Sequence, residues 1–255
     1  MIKIVFFDID GTILNLGKTE LTEKVKYALN KLRDNNIKIF IATGRPSYTV
    51  PDLGVKFDGY LTFNGSYSFE GDNVIYNNPL NKEDVQTLIQ NANKMDIPLC
   101  IAGKNKMGAN YYQKDLSEYF SIASQSLDLL DDFDEFSHGD IYQIMAGVTE
   151  DKDKILLENT SHIVSTRWWP RACDFIPNNG GKDKAIQKIL DYYGFSIEES
   201  MSFGDGGNDK SMIEYAGIGV AMGNAVDEVK LVANYITDSV EDDGVYTALK
   251  HFGLI

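Results

Sequence analysis

Cysteine is scarce in this chain of 255 residues, with only Cys100 and Cys173 present. They lie far apart and neither belongs to a CxxC pair, so no zinc knuckle and no disulfide framework is indicated; two buried thiols in a reducing compartment are expected. Histidine is nearly as rare. His138, His162 and His251 are scattered, and none is paired at metal-ligand spacing. Positive charge is short as well: 24 Lys and Arg face 38 Asp and Glu, a formal net charge of −14. That balance opposes a polyanion, because nucleic-acid affinity comes largely from clustered Lys and Arg neutralising phosphates. A small anionic ligand needs only a few cations gathered locally, and so stays open. Long apolar runs are missing too. The opening one is cut at Asp8, too short for a signal peptide or a membrane span, and nothing later reaches spanning length. No membrane partner and a soluble cytoplasmic protein are expected. No internal repeat or low-complexity tract stands out.

What is present is ordinary globular composition, 43% hydrophobic and 24% charged, enough for one large domain or two moderate ones. The run from Ile2 to Phe7 reads as a strand buried on both faces of a parallel sheet. It ends in Asp8-Ile9-Asp10-Gly11-Thr12. Extended geometry puts Asp8 and Asp10 on one side of the strand end, Gly11 permits a tight turn and Thr12 can supply it a hydroxyl. Two carboxylates aimed at one point repel unless a cation or a shared proton relieves them, and a hard divalent metal, magnesium, is the simplest relief. A calcium loop fits poorly, since its twelfth position, which needs glutamate, is Thr19. Plain turn chemistry would explain this motif taken alone.

Val25, Ala28, Leu29 and Leu32 repeat at helical spacing and predict a helix over about Thr22 to Asn35. A second buried strand, Ile37 to Ala42, completes a β-α-β unit and runs into Thr43-Gly44-Arg45-Pro46. A third strand at Gly59 to Phe63 leads through an Asn64-Gly65 turn into a hairpin over Tyr67 to Phe69 and Val74 to Tyr76. Asn81 reads as the N-cap of a helix carrying Val85, Leu88, Ile89 and Ala92. Texture then changes: strands at Pro98 to Ala102, Asp140 to Val148, Ile163 to Thr166 and Ala172 to Ile176 alternate with helices near Asp115 to Tyr119 and Asp151 to Asn159. This reads as an αβ domain, residues 81–177, inserted in a Rossmann-like core of residues 1–80 and 178–255, with linkers near Asn78-Pro79 and Pro177 to Gly181. The fold class is thus α/β, a parallel-sheet core with an inserted αβ domain. A helix opening near Lys182, a strand at Met201 to Phe203 ending in Gly204-Asp205-Gly206-Gly207-Asn208-Asp209, a helix over Asp209 to Ala216, a strand at Gly217 to Val220 and a final helix carrying Val245, Ala248, Leu249 and Phe252 close the core.

In open α/β sheets ligands sit at the carboxyl ends of the strands. Asp8, Asp10, Thr43 and Asp205 each fall just past a strand and are thereby collected on one rim, and Lys182 at a helix start can lean over it. Carboxylates, one lysine, one hydroxyl and glycine-rich turns suit a metal-held phosphate.

At this point the chain resembles the haloacid dehalogenase-like superfamily, specifically Cof-type phosphatases of subclass IIB, from Lys3 almost to the C-terminus. The residues that carry the resemblance are Asp8-Ile9-Asp10-Gly11-Thr12, Thr43-Gly44-Arg45, Lys182 and Gly204-Asp205-Gly206-Gly207-Asn208-Asp209, in family order. It implies that Asp8 is the nucleophile at phosphorus, forming an aspartyl-phosphate, and that Asp10 protonates the leaving alcohol and later activates water. It implies magnesium held by Asp8, the backbone carbonyl of Asp10 and Asp205, with Asp209 supporting the metal shell. Thr43, Gly44 and Lys182 would bind the phosphoryl group, Asn208 would touch phosphate or orient Lys182, and Arg45 would face the inserted domain and help select the substrate. The substrate would be a small phosphomonoester, a sugar phosphate by resemblance. Phosphoryl transfer to another alcohol, as in a mutase, and a non-catalytic phosphate-ligand sensor are the alternatives.

One departure is Asp183 after Lys182, where the family commonly has glycine. Lys184 could then be the phosphate ligand, although a solvated helix lysine is the favoured reading. Gly217 to Gly223 fails the dinucleotide spacing, since Met222 stands where glycine is required, and reads as a strand and turn. Within the insert, which in the family is a mobile cap over the site, Trp168-Trp169-Pro170-Arg171 could stack on a sugar ring or pin a second anionic group, or pack the cap interior. Tyr111, Tyr112 and Gln143 are weaker candidates, and the acidic stretch Asp128 to Glu135 reads as a solvated loop.

Overall fold

All four residues of β1 (Ile4–Phe7) are inaccessible to solvent, the state expected of a parallel strand covered by helices on both faces. The computed structural model describes residues 1–255. After β1 the chain forms α1 (Glu23–Asp34), β2 (Lys38–Ala42), β3 (Gly59–Thr62), β4 (Tyr67–Glu70) and β5 (Asn73–Asn77). The middle of the chain holds α2 (Lys82–Lys94), β6 (Leu99–Gly103), β7 (Met107–Ala109), α3 (Lys114–Ile122), α4 (Phe133–Ser137), β8 (Ile141–Ala146), α5 (Asp153–Leu156), β9 (Ile163–Thr166) and β10 (Cys173–Pro177). The last part holds α6 (Lys182–Tyr193), β11 (Ser200–Gly204), α7 (Lys210–Tyr215), β12 (Ile218–Ala221), α8 (Asp227–Lys230), β13 (Tyr235–Ile236) and α9 (Gly244–His251).

Eight strands form one sheet in the order β13-β12-β11-β1-β2-β3-β4-β5, parallel from β13 to β3 and antiparallel beyond it. The fold class is α/β with a Rossmann-like parallel sheet. α1 presents Val25, Ala28, Leu29 and Leu32 to the core, and its N-cap Thr22 accepts from the Val25 N–H at 3.2 Å. The Asn36 backbone turns left-handed, φ 59°, where the helix stops. Strands β7-β6-β8-β10-β9 form a second, antiparallel sheet with its own apolar cluster, among them Leu88, Leu99, Ile144 and Phe175. A third cluster joins the two sheets, with Phe63 and Tyr67 packed among Tyr119, Tyr142 and Met145. The two crossings between the sheets lie side by side, since the Asn78 amide donates to Asn179 Oδ1 at 3.1 Å.

The structure revises some details. The helix expected over Asp151 to Asn159 shrinks to a 3₁₀ turn, Glu150–Lys152, followed by α5. Leu156 is buried while Ile155 is exposed, so there is an apolar seat for a single turn. The acidic stretch Asp128 to Glu135 is not all loop: Phe133 is buried at the start of α4. The short elements β7, α8 and β13 carry too few residues to show a period in sequence.

Candidate active site

Phe7 of β1 is in register with Ile41 of β2 and Phe203 of β11. The residues that follow these strands therefore emerge together. Asp8, Asp10, Thr43, Gly44, Arg45, Asp205, Asn208 and Asp209 all line one cavity of about 350 Å³. Its opposite wall comes from the second sheet and α3: Tyr119, Phe120, Gln143, Met145, Trp168 and Trp169.

Lys182 opens α6 directly after Gly181 and is fully buried. Its ammonium donates to Asp8 Oδ1 at 2.7 Å, to the Ala42 carbonyl at 2.8 Å and to Asp209 Oδ1 at 2.5 Å. All three of its donors are thereby used. Lys184 instead lies at the surface, 3.5 Å from Asp183. The other oxygen of Asp209 accepts from the Asp205 and Gly206 N–H groups at 2.9 and 3.0 Å, fixing the loop after β11. Asp205 is half-buried, and its Oδ1 accepts from the Thr12 hydroxyl at 2.7 Å. Gly11 is required where it stands. Its φ is +87°, and a Cβ there would come within 2.4 Å of Asp205 Oδ2.

The chain leaves the extended form after Asp8, because the Ile9 carbonyl accepts from the N–H groups of Thr12, Ile13 and Leu14. Asp8 and Asp10 therefore reach the same cavity with different partners. Asp10 is gripped by the Arg45 guanidinium in a two-point fork, Nε to Oδ2 and Nη2 to Oδ1, both 2.6 Å. The same Nη2 donates to the Ala123 carbonyl past the end of α3 at 2.8 Å, so Arg45 does face the second sheet's side. Thr43 is buried, its hydroxyl accepting from the Arg45 N–H at 3.1 Å.

Burial, reinforced by the charge of Asp209, raises the Asp8 carboxyl to about 7 against the pull of Lys182. Burial also lifts Asp205 well above the ordinary carboxylate range, with Asp8 and Asp209 adding to it. Burial works against the charge on Lys182, but Asp209 and Asp8 outweigh it and hold the lysine protonated. Buried carboxyls whose charges also raise one another make a site that favours an added positive charge. One oxygen from each of Asp8, Asp205 and Asp209 lies within 4.8 Å of the others, an all-oxygen donor set that fits a hard divalent cation. The Asp10 carboxylate is not in this group.

Among the weaker candidates, Gln143 is buried in the cavity wall, whereas Tyr111 and Tyr112 lie at the surface. Trp168 packs 5.0 Å from the Tyr119 ring, and its Cβ would lie 3.1 Å from a Cβ at Gly206, so the tryptophan segment rests directly on the loop after β11. Arg171 does not line the cavity. Its guanidinium lies over the Trp169 ring, 4.3 Å from the ring centre, and is paired with Asp115 and Glu118. Three residues that the sequence does not single out complete the surroundings: Asn224, whose amide donates to the Gly11 carbonyl at 2.9 Å, Asn64 and Asp174, which hydrogen-bond each other at 2.9 Å. Turn asparagines look alike in sequence whether they cap their own turn or a distant one, so only the fold identifies these.

A sequence model of haloacid dehalogenase-like hydrolases matches residues 5–249. The chain belongs to this family. The family's expected sequence order, with a carboxylate pair first and the Gly-Asp loop last, is the order in which the strands above deliver their residues. Among relatives of this hydrolase, YkrA of Bacillus subtilis (strain 168) is 32% identical over 258 residues, covering 99% of this chain and 98% of that one. A 5-amino-6-(5-phospho-D-ribitylamino)uracil phosphatase, YcsE, of the same organism is 29% identical over 257 residues, covering 99% and 96%. The solved structure of the subclass IIB sugar phosphatase BT4131 superposes with a TM-score of 0.91 at 33% identity, covering 99% of this chain and all of that one. This hydrolase is accordingly a phosphatase of subclass IIB, a phosphoric monoester hydrolase.

Proposed function

We propose that this phosphatase hydrolyses small phosphomonoesters, sugar phosphates in the first place, through an aspartyl-phosphate on Asp8. The observation that carries the reading is the fixed Asp8 carboxylate, bonded to buried Lys182 at 2.7 Å on the floor of the cavity, with Asp10 held across from it by Arg45. An Asp8 oxygen attacks phosphorus and the ester P–O bond breaks, while Asp10, in its protonated form, gives its proton to the departing alkoxide. Asp10 then takes a proton from water, the water oxygen bonds to phosphorus, and the bond to Asp8 breaks to release phosphate. Thr43 and the backbone N–H of Gly44 hold the phosphoryl oxygens, Asn208 orients them, and Lys182 turns to them the donor it gives to Asp8 at rest. Asp8, Asp205 and the Asp10 backbone carbonyl would hold magnesium, with Asp209 behind them. When bound, this ion supplies positive charge against the phosphoryl oxygens. Residues 81–177 act as the cap and residues 1–80 with 178–255 as the core.

The cavity supports an uncharged leaving group. Arg45 is the only Lys or Arg that lines it, and its fork is taken by Asp10. Trp168 and Trp169 offer aromatic faces on which a sugar ring or a polyol chain can lie, and Gln143 adds an amide. BT4131 is a sugar phosphatase, and the substrate named for YcsE carries its phosphate on a ribityl chain. Two buried free thiols suit a reducing compartment, and we place the enzyme in the cytoplasm.

The test is release of inorganic phosphate from p-nitrophenyl phosphate and from a panel of phosphorylated metabolites, with magnesium, by wild type and Asp8→Asn. The expected result is turnover by wild type and a loss of roughly three orders of magnitude or more in the variant. Equal rates would remove Asp8 as the nucleophile.

A further inference from the structure

Asn64 sits at a hairpin turn, yet its side-chain amide spans core and cap. It is 1% exposed, and both Asn64 (φ 52°) and the preceding Phe63 (φ 53°) are left-handed. Two consecutive non-glycine residues in that region are strained, and such strain is kept where the surroundings over-determine it. Here the surroundings are hydrogen bonds. Asn64 Oδ1 accepts from Asn208 Nδ2 at 3.0 Å, on the core loop after β11. Asn64 Nδ2 donates to Asp174 Oδ2 at 2.9 Å and to Gln143 Oε1 at 3.1 Å, both on the cap sheet. Asp174 Oδ1 accepts from the Tyr119 hydroxyl at 2.7 Å, and the Tyr119 ring packs at a 45° tilt against Trp168 in the cavity wall.

We propose that Asn64 is a positioning residue that makes the placement of Asn208 depend on cap closure, its oxygen holding Asn208 while its amine is anchored by Gln143 and Asp174. The bonds explain why the coupling runs both ways. With the cap swung away, the Asn64 amine faces water, nothing fixes which way the amide points, and Asn208 loses its acceptor. With the cap seated, a carboxylate and an amide oxygen take both amine protons, so the oxygen must face Asn208. A leaving group that seats the cap therefore also orders the phosphate side of the site. The catalytic half of this inference rests on the phosphatase reading, but its conformational half does not.

Asn64→Asp keeps the acceptor and removes the donor, setting a carboxylate against Asp174. The double variant Asn64→Asp with Asp174→Asn restores a donor and acceptor with the sense reversed. Trp168 and Trp169 are the only two tryptophans, and both line the cavity, so tryptophan emission reports the cap without any substrate. For Asn64→Asp we expect red-shifted emission and a fall in kcat of about tenfold or more on p-nitrophenyl phosphate and glucose 6-phosphate, both returning toward wild type in the double variant. Wild-type emission and kcat in Asn64→Asp, or a double variant no better than the single, overturns the proposal. Asn64→Gly, whose backbone accepts the left-handed turn without strain, keeps the test sound if the aspartate variant fails to fold. It should show the same losses, and wild-type behaviour would again overturn the proposal. If wild type hydrolyses neither compound, the phosphatase reading and the catalytic half fall together, while the emission of the single and double variants still decides the clasp.

Discussion

Lys182 brings one positive charge to a buried place where Asp8 and Asp209 bring two negative ones. Removing one partner of a buried pair is more costly than the pair is worth, because the remaining charge is left unpaired. Lys182→Met, of similar volume, is expected to lose about 3–5 kcal/mol of stability at pH 8 without added metal. The loss should shrink at pH 5, since Asp8, raised to about 7, then holds a proton and needs no counter-charge. Urea denaturation at the two pH values checks this, and an equal loss at both would refute it. Asp8, Asp10, Thr43, Lys182 and Asp205 were legible in the sequence because each stands at a strand end or helix start that apolar spacing marks. Asn64 and Asn224 were not, because their partners Asn208 and Gly11 lie 144 and 213 positions away.

Strand β10 shows what an element adds. It pairs with β8 on one side and β9 on the other, which leaves Asp174 nearly inaccessible at the seam between the sheets. Burial pushes its carboxyl up to about 6, although donation from Tyr119 and Asn64 pulls the other way. The sign follows from proton binding. Between roughly pH 4 and 6 the folded chain holds a proton that the unfolded chain has lost, so this group makes stability fall as pH rises through that window and then level off. Relative to Asp174→Asn, the wild type should therefore lose up to about 3 kcal/mol between pH 4 and 7, since each pH unit separating the folded and unfolded titrations is worth about 1.4 kcal/mol. Denaturation curves of both proteins across that range measure it, and a constant difference would show that the carboxyl is not perturbed. The strand β10 is readable in sequence, but Asn64 and Tyr119, which cover its Asp174, are not.

At the scale of the molecule, the two sheets meet over a cavity whose floor carries an excess of carboxylate. A cation bound there by the folded chain stabilises it by about 2.7 kcal/mol at a hundred times its Kd. Magnesium should therefore raise the Tm of the wild type, and Asp205→Asn should lose most of that rise; an unchanged rise would move the ion elsewhere. No helix is long and apolar enough to cross a membrane. The sequence by itself determined the order of strands and helices, the family and the residues delivered to the rim, because buried strands and amphipathic helices are written locally as runs and periods of apolar residues. Only the tertiary structure decided which polar groups are paired: Arg45 on Asp10, Lys182 between Asp8 and Asp209, Arg171 on Asp115 and Glu118, and Asn64 on Asp174. Such pairings depend on distances across the fold and on burial, and neither leaves a periodic trace along the chain.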